Sequence, residues 1–231
     1  MALLRKRGRG PRHLVLLICI LLLFTVAPFL LVLRHGVLIL NIVTVGVMLA
    51  GTYTLSQRKH LFIVSLILSA IAVALTCWLL WAPSHIAMMA YYAAVAALIA
   101  FLAVAILAYV LRAGPVTADK MFAAICIYML LGFGWTYGYA LVDDLQPEAF
   151  TVPTPSDGQD YVGHLLQLRY FSFITLATVG YGDIAPRSAV ARTMAVLEAV
   201  MGQLYLVVLV GRLVGLHIVH SGGSRSDDRG S

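Results

Sequence analysis

Residues 178–183 read Thr-Val-Gly-Tyr-Gly-Asp. A row of backbone carbonyls plus one threonine hydroxyl can replace the water shell of a dehydrated potassium ion. The row forms only if successive carbonyls point the same way. Gly180 and Gly182 give the backbone a freedom that other residues lack. Val179 and Tyr181 are left to point outward and pack, and Asp183 closes the stretch at a water interface. On this reading the carbonyls of Thr178, Val179, Gly180 and Tyr181, with the Thr178 hydroxyl, hold the ion, and Gly182 completes the run.

Such a loop has to be carried by a scaffold that shields it from lipid, and the composition supplies one. Of 231 residues, 61% are hydrophobic and 11% charged; a soluble domain averages roughly 25% charged residues. The chain reads as an all-α integral membrane protein. Apolar runs predict six spanning helices, over about 14–33, 36–55, 61–81, 86–111, 117–141 and 190–219. The first run is about 20 residues long, too long for the apolar core of a typical signal peptide. Thr117 is placed to cap the fifth helix. A polar stretch over 143–160 follows, with Asp143, Asp144, Glu148, Asp157 and Asp160 and no Lys or Arg. It is either a solvated loop or an acidic vestibule that gathers cations. Residues 161–177 form a shorter helix that cannot cross the bilayer in full.

The net charge of +6 is concentrated in Arg5, Lys6, Arg7, Arg9 and Arg12 and at loop ends. That pattern reads as topology and headgroup contact rather than as a nucleic-acid surface, and it places both termini in the cytoplasm. Cys19, Cys77 and Cys126 lie in apolar runs without metal-ligand spacing and read as small buried hydrophobes.

The hexapeptide, preceded by a short helix and followed by a long one, resembles the pore of the potassium-channel family. The resemblance is strong over about residues 120–219 and weak over 1–111. It implies a re-entrant pore helix, a filter at 178–183, an inner helix and a homotetramer, since one chain brings one filter strand and a closed ring needs four. It implies potassium as permeant ion, the lipid bilayer as surroundings, no cofactor and a plasma-membrane location. Tyr170 then either ties Asp183 in a cuff around the filter or is an interfacial aromatic. Thr175 and Glu198 stand behind the filter. An acid within a span is costly and needs a partner, either Thr175 or another group behind the filter; Glu198 is either structural or part of a gate. Gly202 falls where the family bends its inner helix, and it serves either bending or close packing. Gln203 and Leu206 are expected to face the cavity. Three departures are Ala177, where a second Thr is common, Ile174, which puts no carboxylate behind the filter, and Tyr170-Phe171, where the family often has a pair of tryptophans.

Six-helix relatives often carry a voltage sensor with regularly spaced arginines. Between Lys59 and Arg112 there is no Lys, Arg, Asp or Glu. The expected protein is therefore a potassium channel with little voltage sensitivity and no enzymatic activity. The alternatives are a non-selective cation channel, or a transporter or assembly subunit with a filter-like loop. No nucleophile–base pair or phosphate loop argues for an enzyme, and no repeat between 14–111 and 117–219 argues for a transporter.

Overall fold

A computed structural model of the chain describes residues 12–30, 36–82, 84–112, 117–151 and 161–227. Most of the N-terminal basic cluster, Arg34, Gly114-Pro115 and residues 152–160 with Asp157 and Asp160 lie outside them.

Seven helices carry the fold among the described residues: α1 (Arg12–Leu30), α2 (Gly36–Thr54), α3 (Lys59–Trp81), α4 (His85–Val110), α5 (Ala118–Leu145), α6 (Tyr161–Leu176) and α7 (Ala189–Asp227). Leu, Ile, Val and Ala make up more than half of each of α1 to α4. In lipid such segments have no way to satisfy their backbone except as helices. Five are long and apolar enough to cross a membrane: α1, α3, α4, α5 and the first 21 residues of α7. A sixth apolar stretch, Ile39–Thr54, is shorter. The ends are set by local chemistry. The Ser84 hydroxyl accepts from the Ala87 amide at 3.3 Å and starts α4; Thr117 accepts from the Lys120 amide at 3.3 Å and starts α5.

The core runs along the seam of α4 and α5. Val95, Leu98, Leu102 and Ile106 face Ile127, Leu130 and Phe133, all at 7% exposure or less. α1 packs on α2 and α5, while α6 is held between α5 and α7. α7 is the barest span. Val196, Leu197, Val200, Leu204, Val207 and Val208 are all exposed on the single chain.

The polar stretch after α5 differs from its expected form. α5 continues to Leu145, so Asp143 and Asp144 are helical. Phe150–Thr151 (β1) pairs antiparallel with Ala185–Pro186 (β2), Phe150 opposite Pro186 and Thr151 opposite Ala185. The Ala149 carbonyl also accepts from the Arg187 amide at 2.7 Å. This clasp ties the end of α5 to the exit of the 178–183 segment. The cysteines differ in part: Cys126 is buried, Cys19 half-buried, and Cys77 exposed rather than buried. An apolar solvent accepts a thiol on the outer face of a span as readily as a core does.

Candidate functional site

α6 has 16 residues, roughly 24 Å at 1.5 Å per residue, short of a bilayer core of about 30 Å. It stops where the chain must turn back. Its last carbonyls are capped by the segment that follows. Ala177 N donates to the Phe173 carbonyl at 3.0 Å, Thr178 N to Thr175 at 2.9 Å, Val179 N to Ile174 at 2.8 Å and Gly180 N to Ile174 at 3.3 Å. The start of the hexapeptide is thereby fixed to the helix end.

Within the hexapeptide φ is positive at Thr178 (57°), Gly180 (54°) and Gly182 (81°), while Val179 and Tyr181 are not among the positive-φ residues. Alternating handedness turns successive peptide planes alike, so the N–H groups gather on one side, as in an anion nest, and the carbonyls on the other. A β-branched residue at positive φ is a true outlier, costing about 1–3 kcal/mol and held by its surroundings. At Thr178 the Gln203 amide nitrogen donates to the side-chain hydroxyl at 3.2 Å. Residues 177–183 are all exposed on the single chain, Val179 at 51% and Tyr181 at 72%. Tyr170, 38% exposed, faces the Asp183 carboxylate within interaction range.

Glu198 is fully buried. Of the partners left open by the sequence, Thr175 is not the one; other side chains of α5 and α6 are. The Tyr139 hydroxyl donates to one carboxyl oxygen and stands 2.5 Å from it; Ser172 Oγ stands 2.5 Å from the other and 2.7 Å from the Gly132 carbonyl. The reason is register. A Cβ on Gly202 would collide with the Leu176 carbonyl, which fixes α7 against the end of α6. The two helices run in the same direction there. Four residues back from Gly202 is Glu198, and four back from Leu176 is Ser172, so those two meet. Gly202 accordingly stands at a point of close helix approach. The Ser172 hydroxyl has one proton and two acceptors beside it; a proton on Glu198 completes the set.

Tyr139 also anchors an aromatic wall beside α6, behind the 178–183 segment. Its ring lies 5.2 Å from Phe171 and 5.3 Å from Phe150, and Phe150 lies 5.4 Å from Phe171. Edge contacts of this kind stabilise by about 0.5–1.5 kcal/mol each. Phe171 stands at one of the two family tryptophan positions, and β1 delivers Phe150 to it. Leu206 is 38% exposed on α7, one turn beyond Gln203. Sequence reading did not find Tyr139, Ser172 or Phe150. Ser172 was within reach through the four-residue register; nothing in the sequence singles out the other two.

The acids expected around the mouth are partly spoken for. Asp143 meets His164 at 2.8 Å, Asp144 meets His85 at 3.3 Å, and Glu148 meets Arg187 at 3.7 Å. No cluster of metal-ligating side chains occurs among the described residues.

This strand-and-two-helix arrangement is where comparison with known proteins becomes informative. Residues 149–216, from the β1 clasp through most of α7, match a family described as ion channel. Two curated relatives match over a similar length. Protein LctB of Bacillus caldotenax is 37% identical over 87 residues, covering 37% of this chain and 62% of that protein. Protein LctB of Geobacillus stearothermophilus is 37% identical over 89 residues, with the same coverage. The chain thus spans about 62% of the length of the curated relatives it matches. No solved structure matches. These likenesses support a membrane protein with an ion-channel segment at 149–216.

Proposed function

We propose that the protein is a potassium-selective channel that conducts K+ passively across the plasma membrane as a homotetramer, with both termini cytoplasmic. The observation that carries this reading is the alternation of positive φ at Thr178, Gly180 and Gly182, which lines the carbonyls of 178–182 along one side. A single row cannot enclose an ion; four copies around an axis make stacked rings of carbonyl oxygens. The exposed apolar face of α7 and the exposed Val179 and Tyr181 supply the surface that four copies would share. The filter carbonyls take the place of water around the ion, and Asp183 stands at the outer mouth. No cofactor, nucleic acid or enzymatic step enters this reading.

α3 and α4 bear no charge between Lys59 and Arg112, so a field has little to pull on; each charge moved through 100 mV is worth only about 2.3 kcal/mol. Purified protein in planar bilayers, with K+ on one side and Na+ on the other, tests the proposal. The reversal potential is expected to lie far toward the K+ limit. A reversal near zero would place the protein with non-selective cation channels, and an absence of current with transporters or assembly subunits.

A further inference from the structure

A cavity of about 290 Å³ lies where the first four helices meet α6. Leu23, Leu80, Tyr91 and Phe133 contribute to its largely apolar wall. It occupies the half of the helical domain that adjoins the filter, and its rim includes Leu80, which is 58% exposed. Besides threonine and tyrosine hydroxyls, the wall carries one amide side chain, Asn41 of α2, and one cation, Arg169 of α6.

Arg169 is the anomaly. Its guanidinium carbon lies 5.3 Å from the Phe24 ring centre and 5.8 Å from that of Phe133. Among the described residues it makes no ion pair and no hydrogen bond. Rings can cover the faces of a guanidinium, but its five N–H donors lie in its plane and remain. A cation at membrane depth ordinarily has a counter-charge. Asn41 likewise makes no hydrogen bond among the described residues. The threonines of the same wall behave differently: Thr44, Thr76 and Thr136 each donate to a carbonyl of their own helix at 2.8–2.9 Å.

We infer that this cavity binds an anionic amphiphile, its acyl chain against the apolar wall and its carboxylate or phosphate on Arg169 and Asn41. A guanidinium takes either oxyanion through paired N–H bonds, which a point charge does not match. The volume falls at the small end of ligand pockets, about 300–1,000 Å³, and suits a medium-length chain. The anion has two possible sources, a free fatty acid or the headgroup of a bilayer phospholipid. Binding is the readout, so the inference stands or falls independently of whether the protein conducts potassium.

The test uses the full chain in phosphatidylcholine nanodiscs, titrated calorimetrically with decanoate, with uncharged decanol, or with added phosphatidylglycerol. Decanoate is expected to bind saturably, one per chain. Arg169→Gln should weaken it at least tenfold and Asn41→Leu at least threefold, with decanol uptake the same in all three proteins. Saturable phosphatidylglycerol binding with that dependence, and none for decanoate, would assign the same site to a bilayer lipid. Should Arg169→Gln fail to fold, Asn41→Leu decides alone. Binding that is absent for both anions, or equal in the folded variants and the parent, overturns the inference.

Discussion

Gly180 sits at φ +54°, with nothing within 4 Å of where a Cβ would stand on its own chain. A side chain there would meet no wall; it would meet the backbone energy of the left-handed region, roughly 1–2 kcal/mol. Gly180→Ala is expected to relax the alternation and abolish K+ flux while leaving helix content and expression intact. Parent-level flux from that variant in vesicles would remove the filter assignment. Glu198 makes a different prediction. Glutamine can accept from Tyr139 and donate to Ser172, as the protonated acid does, so Glu198→Gln should keep both stability and flux close to parent. Alanine leaves the buried Tyr139 hydroxyl without its acceptor, at a cost of about 1–3 kcal/mol. Its melting temperature in detergent should fall clearly below that of the glutamine variant. Identical melting and flux for all three proteins would reduce Glu198 to a tolerated residue. If glutamine alone alters the pH dependence of flux, Glu198 belongs to a gate.

At the scale of elements, α7 gives a paired experiment. Gly202 faces the Leu176 carbonyl so closely that a Cβ does not fit, whereas Gly211, further along the same helix, has open space. Bending would be stiffened by alanine at either position; close packing is offended only at Gly202. Gly202→Ala is expected to destabilise the α6–α7 contact and lower the melting temperature, with Gly211→Ala unchanged or slightly raised through better helix propensity. Equal effects would return the argument to bending. The elements were also the most legible part of the sequence. Apolar runs placed the first five helices to within about four residues, because length and hydropathy alone dictate a span in lipid, whereas α7 runs to Asp227, well past the expected end at 219. The β1–β2 clasp was not legible: two residues per strand carry no periodicity, and Pro186 argues against a strand on sight. Gly180 and Gly182 declared their positive φ by being glycines. The positive φ of Thr178 did not, since its support comes from Gln203, 25 residues later.

For the whole molecule, the weak point of a sequence reading is what the first four helices are for. The structure ties them to α5 and α7 at one end of the bundle, where α1 starts and α4 ends. Near α1's start, Asp119 of α5 is held by His13 at 2.8 Å and by Tyr109 at 2.9 Å. At the same end, Arg212 of α7 donates to the Leu111 carbonyl at 2.5 Å, just past α4, while Tyr205 of α7 donates to the Ala124 carbonyl of α5 at 2.6 Å. α7 is thus fastened to the end of α4, a helix that carries no Lys, Arg, Asp or Glu. Conductance is expected to vary little with voltage in the parent, equivalent to less than about one charge per chain. Arg212→Ala should change the fraction of time open while leaving ion preference and voltage dependence alone. A steep conductance–voltage curve in the parent would mean that a charge-bearing element has been overlooked.

The triad of Tyr139, Ser172 and Glu198 draws on three separate helices, and the acid arrives last. As the chain leaves the ribosome, α5 and α6 are complete before residue 198 is made. Until then two hydroxyls face one another across a gap that only the final helix fills. A nascent pore is therefore unfinished in a specific chemical sense, and a chain halted before α7 should leave α6 open to proteases and to chaperones that survey the bilayer. Placing the acid of this triad on α7 makes that helix the element that completes the contact between α5 and α6.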